Sequence, residues 1–353
     1  MRILVIALPG IGDSLLSTPA LAVAKRFSPE LTIDVLVMFR GSEEVFRRNR
    51  NVNEVLYFNF MKEGVIKSLK FVRSLRGKYD ATLNIYPSNR KEYSLISFLI
   101  GAKQRAAVKY SHVDWRELGI LNNVRIVEDS RLHNVQENIR LFGKLLGGSF
   151  QDEPGLDFPL SDDERKYAEQ FCAQRNIGKD DLVIGFHPGG STLKNHLNKR
   201  WPPERFAELG KLLVDRLGAR VMIFGGPEEK DLRDGIVRKI GSVSVFSADV
   251  QTMGQTAALI ERCSVFVSND SSLLHFSSAL RRKTVLLMGP INPVYSGPWG
   301  TDYRIASLYL DCSPCFYYSP RPLTCSRTDV KFKCMKELPA EAVYSSVADL
   351  LGK

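Results

Sequence analysis

The chain has no apolar run that approaches a membrane span. The longest, Ser94 to Ala102, falls far short of the roughly 20 residues a spanning helix needs. A cleavable signal peptide is also missing. Residues Ile3 to Ile11 are apolar, but one charge precedes them, and Gly12-Asp13 stands where a small-residue cleavage site would be. These two absences predict a protein that stays in the cytoplasm, at most resting on the inner membrane from that side. Cysteine is scarce, with 6 in 353 residues, which excludes a disulfide-dense scaffold. With 44% hydrophobic and 25% charged residues, the chain is neither disordered nor collagen-like. There is no short-period repeat, no low-complexity tract, no zinc-finger spacing and no RNP aromatic signature, so nucleic acid is not expected as a partner.

Acidic residues are under-represented in the first half. Residues 1–150 hold 23 Lys and Arg against 14 Asp and Glu, a net of +9; residues 151–353 hold 26 against 25, a net of +1. A basic half suits an anionic partner, either a phosphorylated substrate or an acidic membrane surface. A merely solvated basic face is the plainer alternative.

At about 150 residues per domain, 353 residues predict two domains. The chain alternates strand and helix signals, the pattern of βαβ units and a parallel sheet. Strands are expected at Arg2–Ala7, Thr32–Met38, Glu54–Phe58 and Asp80–Ile85, with one more before a helix at Asn134–Leu146. Helices are expected at Ser14–Phe27, Gly64–Leu75 and Lys91–Ile100. The pattern lapses into Gly, Ser, Pro and acids over 147–159, as a linker would. Ser161-Asp162-Asp163-Glu164 has the form of a capping box. Strands then resume at Leu182–Phe186, Arg220–Phe224, Val243–Phe246, Val265–Val267 and Thr284–Met288. Helices are expected between them at Pro203–Leu217, Glu228–Ile240, Thr252–Glu261 and Ser271–Leu280. The expected boundary places a first domain at 1–155 and a second at 156–353.

The residues able to carry chemistry follow predicted strands, where open parallel sheets bind ligands. Gly10 and Gly12 can admit close backbone approach. However, Leu15 stands where a dinucleotide fingerprint needs its third Gly, and no Gly-Lys-Ser phosphate loop is present. Asp13 is either a helix cap or a general base. His187-Pro188-Gly189 and Lys199-Arg200 supply small residues and cations suited to a diphosphate; the alternative is an ordinary strand-to-helix loop. Gly225 with Glu228 and Glu229 offers an acid for ribose hydroxyls, or simply acids favoured by a helix dipole. Asp270, Ser271 and Ser272, with His275 beyond, form a phosphate site at a helix N-terminus or an N-cap. Cys312-x2-Cys315-x9-Cys325-x8-Cys334 reads as a tetrahedral Zn or Fe site of structural type, or as inert or redox-paired thiols. Cys172 and Cys263 read as buried apolar residues.

In their order, these segments resemble glycosyltransferase family 9, the lipopolysaccharide heptosyltransferases. The resemblance is carried by Arg2-Ile3-Leu4-Val5-Ile6 with Gly12-Asp13, Thr18-Pro19-Ala20-Leu21, Asn51-Val52-Asn53-Glu54-Val55 and Lys78-Tyr79-Asp80. It continues through His187-Pro188-Gly189, Lys199-Arg200-Trp201-Pro202, Phe224-Gly225-Gly226-Pro227, Asn269-Asp270-Ser271 with His275, and Gly289-Pro290 with Pro293. It implies an α/β GT-B fold, two Rossmann-like doubly wound domains facing a central cleft. It also implies inverting transfer of a heptose from ADP-heptose without a catalytic metal. The first domain would hold the acceptor, and the second the nucleotide sugar.

By the same resemblance Asp13 is the base, Lys199 meets the donor diphosphate, and Glu229 is associated with the ribose. Asp270 contacts the transferred sugar, with Ser271 and Ser272 beside the phosphates. An anionic glycolipid acceptor, Kdo-lipid A or its heptosylated form, fits the basic first half. Arg90 and Lys91 are the acceptor contacts expected first, with Arg40 and Lys109 more loosely placed.

Three features depart from the family pattern. Lys194, Asn195 and His196 lie in an insert before Trp201, so Lys194 or Arg200 competes with Lys199 for the phosphates. Asp270 is followed by Ser-Ser. The four-Cys segment belongs to part of the family only, some of whose protein-modifying members hold iron, which leaves a protein acceptor open. Transfer of another sugar, a nucleotide-sugar epimerase, a non-catalytic sugar-nucleotide binder and an NAD-dependent oxidoreductase are the competing readings. The last is disfavoured by the missing third Gly.

Overall fold

A computed structural model describes residues 1–111, 114–317 and 322–353. They form two compact units, Met1–Pro159 and Leu160–Lys353. The first unit runs β1 (Arg2–Ala7), α1 (Ile11–Phe27), β2 (Thr32–Val37), α2 (Arg40–Arg47), β3 (Glu54–Tyr57), α3 (Gly64–Ser74), β4 (Ala81–Asn84), α4 (Lys91–Ile100), β5 (Gln104–Lys109), β6 (Val124–Val127) and α5 (Asn134–Leu146). The second runs α6 (Asp162–Ala173), β7 (Val183–His187), α7 (Pro203–Leu217), β8 (Arg220–Ile223), α8 (Lys230–Ile240), β9 (Val245–Ser247), α9 (Met253–Glu261), β10 (Val265–Asn269), α10 (Ser272–Ala279), β11 (Lys283–Leu287), α11 (Pro293–Ser296), β12 (Tyr303–Ala306), α12 (Lys333–Lys336) and α13 (Ala340–Leu351).

Each unit holds one six-stranded sheet, ordered β3-β2-β1-β4-β5-β6 and β12-β11-β10-β7-β8-β9. All the paired strands are parallel. The apolar runs dictate this. In β1, Ile3 to Ala7 are buried without alternation, as a strand covered on both faces must be. On one face of the first sheet, Leu4, Ile6 and Leu36 pack under Val72 and Leu75 and under Tyr93, Ile96 and Ile100 of α4. On one face of the second, Phe186, Ile223, Val265 and Val285 pack under Phe206, Leu213, Ile236 and Val347.

The strand order reverses between β1 and β4 in one sheet and between β7 and β10 in the other. Those reversals are where open α/β sheets place ligands. Register brings the relevant ends together: Ile6 lies opposite Asn84, and His187 opposite Ser268.

Several elements differ from the sequence-based expectation. Helix α1 starts at Ile11, three residues before Ser14, because Gly10 takes an extended N-cap conformation and Asp13 bonds back to its N–H. Two strands, β5 and β6, stand where one was expected. The charged ends of Gln104–Lys109, written QRAAVK, mask its strand character. Helix α2, strand β12 and helix α13 also go beyond the expected elements. The capping box at Ser161 is formed: Ser161 Oγ accepts from Glu164 N–H, and Glu164 Oε2 accepts from Ser161 N–H at 2.9 Å. No helix among the described residues is long and apolar enough to cross a membrane.

Candidate active site

A polar cluster forms at the β7/β10 reversal of the second sheet. His187, the last residue of β7, is buried. Its Nδ1 pairs with Ser271 Oγ at 2.7 Å and its Nε2 with Glu229 Oε2 at 3.2 Å. Ser271 is the N-cap of α10, yet its hydroxyl does not cap the helix. It turns to His187 and to Ser268 Oγ at 3.1 Å. The N-terminus of α10 therefore lacks a side-chain cap, and Ser272 opens it.

Glu229 is the hub of the cluster. Its Oε1 accepts from Gly190 N–H at 2.9 Å and from Arg200 Nη2 at 3.0 Å. Its Oε2 accepts from Gly226 N–H at 3.2 Å and faces His187. Arg200 also donates to the Gly190 carbonyl. Burial alone would raise the Glu229 carboxyl, but the bond and charge of His187, the Gly190 N–H and the Arg200 charge outweigh it and hold it at about 2. Two glycines make room for this carboxylate. A methyl at Gly189 would overlap it, and one at Gly225 would press on its Oε2 and Cβ. The helix-dipole reading therefore fits exposed Glu228, not buried Glu229.

Lys199 Nζ donates to Asp270 Oδ2 at 2.7 Å, both side chains being largely buried. Burial works against the Asp270 carboxylate, but the Lys199 charge and hydrogen bond keep it below its ordinary range. Asn269 ties the loops together. Its Oδ1 accepts from Trp201 N–H at 2.9 Å, and its Nδ2 donates to the carbonyls of Pro188 and Gly189 at 2.8 and 3.1 Å. Sequence reasoning quoted Asn269 but missed this role, because β10 was expected to end at Val267. A polar residue at the end of an apolar strand was the available signal.

The insert before Trp201 makes 3₁₀ turns over Leu193–Lys199, kinked at Lys194 and Asn195, whose φ values of 51° and 63° are left-handed. Lys194 carries Leu323 N–H on its carbonyl at 2.9 Å, and Asn195 Nδ2 donates to the Leu323 carbonyl at 2.8 Å. His196 sets its ring edge-on to Phe316. Its Nε2, like Nδ1 of His275, is buried without a hydrogen-bond partner among the described residues. Burial first, and for His196 the Lys199 charge as well, push both imidazoles down to about 4, against the pull of Asp270.

Both rings are neutral in the fold at neutral pH and protonate more readily when unfolded, near the ordinary 6.5. Their contribution to stability is full above about 6.5 and is lost as pH falls toward about 4. The thermal midpoint is expected to drop across that window, and less so in a His196→Gln/His275→Gln variant. A midpoint that stays flat in the native chain would contradict this.

In the first unit, Asp13 lies in the first turn of α1 at the β1/β4 reversal, with Gly12 beside it, and Asp13 Oδ2 accepts from Gly10 N–H at 3.2 Å. Arg90 is the N-cap of α4 and Lys91 its first residue, both exposed. Arg90 pairs with Glu92 at 3.5 Å. Tyr93 of α4, unremarked in the sequence, is buried and within reach of their charges. Burial raises its hydroxyl to about 12, the Arg90 charge opposing and the Asp13 charge adding. The charges of Asp13 and Arg90 thus act on one phenol in opposite senses. Asn84, at the end of β4, is buried with neither amide atom bonded among the described residues.

The four Cys side chains lie close enough for their charges to act on one another: burial first, then Cys312 and Cys325, push the Cys315 thiol up, and burial, with Cys315, Cys325 and Cys312 adding to it, raises that of Cys334. Among the described residues no three His, Cys, Asp or Glu side chains converge to hold an ion. Each thiol also has its own neighbours. Cys312 Sγ receives Arg327, Cys325 Sγ receives Phe332 N–H, exposed Cys315 hangs on the Pro290 carbonyl through its N–H, and Cys334 is buried against Gly289. Zn or Fe on Cys312, Cys315, Cys325 and Cys334 stays an expectation of the sequence. Buried Cys172 and Cys263 are as expected.

Comparison with known proteins decides the family. Residues 68–322 match the model described as glycosyltransferase family 9 (heptosyltransferase). The chain belongs to glycosyltransferase family 9. It is a glycosyltransferase of GT-B fold class. It is 28% identical to lipopolysaccharide heptosyltransferase 2 of Escherichia coli K12 over 325 residues, 87% of this chain and 88% of that one. Among solved structures, a family 9 glycosyl transferase from Veillonella parvula is 26% identical with a TM-score of 0.71, covering 86% of this chain and 85% of that one. The E. coli heptosyltransferase WaaC with ADP-2-deoxy-2-fluoro heptose shares the fold at 20% identity and a TM-score of 0.70, covering 99% of each chain.

Proposed function

We propose that this family 9 enzyme transfers a heptose, with inversion, from ADP-heptose to a hydroxyl of lipopolysaccharide inner core. Acceptors of this kind are Kdo-lipid A or its heptosylated form. The observation that carries the reading is the cluster of His187, Lys199, Arg200, Glu229, Asp270 and Ser271 at the β7/β10 reversal of a chain matching this family. The names of its relatives support the donor and the lipopolysaccharide pathway.

Inversion requires one in-line displacement. Asp13 takes the proton of the acceptor hydroxyl, whose oxygen attacks the anomeric carbon. The bond from that carbon to the diphosphate oxygen breaks, and ADP leaves with the electron pair. Charge grows on the departing diphosphate, so cations and an uncapped helix N-terminus stabilise the transition state. Lys199, Arg200 and the Ser271–Ser272 end of α10 supply them. Gly189, Gly225 and Glu229 shape the donor site. Glu229 already accepts on both oxygens, so a ribose hydroxyl must displace one of its present partners. Asp270 and His275 line the side nearer the sugar. Gly12 admits the donor, while Arg90 and Lys91 serve the anionic acceptor.

The configuration at the transferred anomeric carbon tests the mechanism. NMR of the product is expected to show it opposite to that of the donor; retention would overturn the single displacement. Lys199→Ala is expected to weaken ADP-heptose binding by about tenfold or more, the size of one lost charge-assisted contact. Unchanged affinity would move the phosphate role to Arg200 or Lys194.

A further inference from the structure

The outer layer formed by α3, α4 and the 3₁₀ turn at Gly119–Leu121 exposes apolar side chains that a solvated surface has no reason to carry. Val65, Ile66, Trp115 and Ile120 are 74%, 75%, 75% and 82% exposed. Leu95 and Phe98 stand out from the face of α4 between them. Helix α3 packs beside α4, and α4 beside the 3₁₀ turn, so Val65, Ile66, Leu95, Phe98 and Ile120 belong to one layer, with Trp115 on the segment leading into the turn. Helix α3 itself buries Val72 and turns its first two turns outward. Contiguous apolar exposure on this scale marks a contact surface.

The charge of the same stretch selects the partner. Residues 61–120 hold 12 Lys and Arg against 5 Asp and Glu, a net of +7 out of the chain's +10. Exposed Lys62, Lys70 and Arg73 interleave with Val65, Ile66 and Leu69. Guanidinium groups lie over two of the aromatic rings, Arg116 on Trp115 and Arg105 on Phe98. Branched apolar side chains and an indole ringed by cations match an acyl–headgroup boundary bearing negative charge.

We propose that this layer docks the first unit on an anionic phospholipid surface. The inference rests on the reading of the acceptor as an anionic glycolipid, and names the face that would meet the membrane presenting it. Helix α4 joins the two roles, with Arg90 and Lys91 at its start and Leu95 and Phe98 on its outer side.

The full chain would be mixed with vesicles of phosphatidylcholine alone, or of phosphatidylcholine with phosphatidylglycerol. Of its three tryptophans, Trp201 is 1% exposed and cannot respond, whereas Trp115 can. A blue shift of emission is expected with the anionic vesicles only, reversed by high salt and lost in Trp115→Phe. In co-sedimentation, Val65→Ser/Ile66→Ser is expected to lower partition by about tenfold or more, from the apolar burial forgone. Lys70→Glu/Arg73→Glu should do so by a similar factor, while Val243→Ser in the second unit changes nothing.

Equal partition to neutral vesicles, or full partition of both double variants, would overturn the proposal. So would self-association without lipid that Val65→Ser/Ile66→Ser abolishes, since the face would then meet a second copy. Transfer to a deacylated, water-soluble acceptor is expected to be unchanged in Val65→Ser/Ile66→Ser. Absence of any transfer in the native chain, with vesicle binding intact, would overturn the transferase reading and leave the docking surface standing.

Discussion

Asp13→Asn is expected to slow transfer by about 10²–10⁴-fold, the usual contribution of a general base, with donor affinity almost unchanged. The split follows from position. Asp13 belongs to the first unit, whereas Lys199, Glu229 and Asp270 belong to the second. Asn is the informative replacement because its carbonyl can still accept from Gly10 N–H, the bond that Asp13 Oδ2 makes at 3.2 Å. The start of α1 is then kept, and losing one negative charge from its first turn costs only about 0.3–1 kcal/mol. Single-turnover rates, donor titration and a melting curve separate the three effects. A native rate would remove Asp13 as the base. A normal melting curve with lost donor binding would contradict its assignment to the acceptor side.

The second large effect is expected at Glu229. Its carboxylate joins the loops after β7 and β8, taking Gly190 N–H, Gly226 N–H, Arg200 and His187. Glu229→Gln keeps the shape but replaces an acceptor oxygen with an NH2 group that faces other donors. It also leaves Arg200, a largely buried cation, without its counter-charge. Breaking a buried pair from one side costs about 3 kcal/mol or more, so the midpoint of urea unfolding should shift clearly. Donor binding should fall with it, because Arg200 and the Gly189–Gly190 backbone lose their position.

The pH sign is fixed by the low carboxyl value, about 2 against an ordinary 4.5. The stabilisation is fully present above the ordinary value and is lost as pH falls toward about 2. Unfolding as in the native chain, together with unchanged donor affinity, would show that Glu229 holds nothing together.

The fold was readable in the sequence because its central strands are built on apolar runs, Ile3 to Ala7 in β1 and Val265 to Val267 in β10, punctuated by Gly and Pro turns. The elements that escaped notice are those whose pattern is weak. Strand β5 begins and ends with charged or polar residues, and α2 is mostly charged apart from Val45 and Phe46. The types of residue at the site were also readable, since they follow strand ends. Their mutual bonding was not. Spacing cannot show that Ser271 abandons its cap for His187, or that Glu229 is saturated by two backbone N–H groups and two side chains. Nor could it show that the charges of Asp13 and Arg90 both reach the Tyr93 phenol, because that depends on the β1/β4 adjacency. The cysteine spacing alone could not show how exposure differs along the segment, with Cys334 buried and Cys315 at the surface.

Calorimetric titration of the full chain with ADP-heptose, alongside UDP-sugar, GDP-sugar and NAD, tests the central claim most directly. Selective binding of ADP-heptose, weakened in Lys199→Ala and retained in Asp13→Asn, is the expected result. Binding of NAD alone, or no preference for the adenosine diphosphate sugar, would contradict the account.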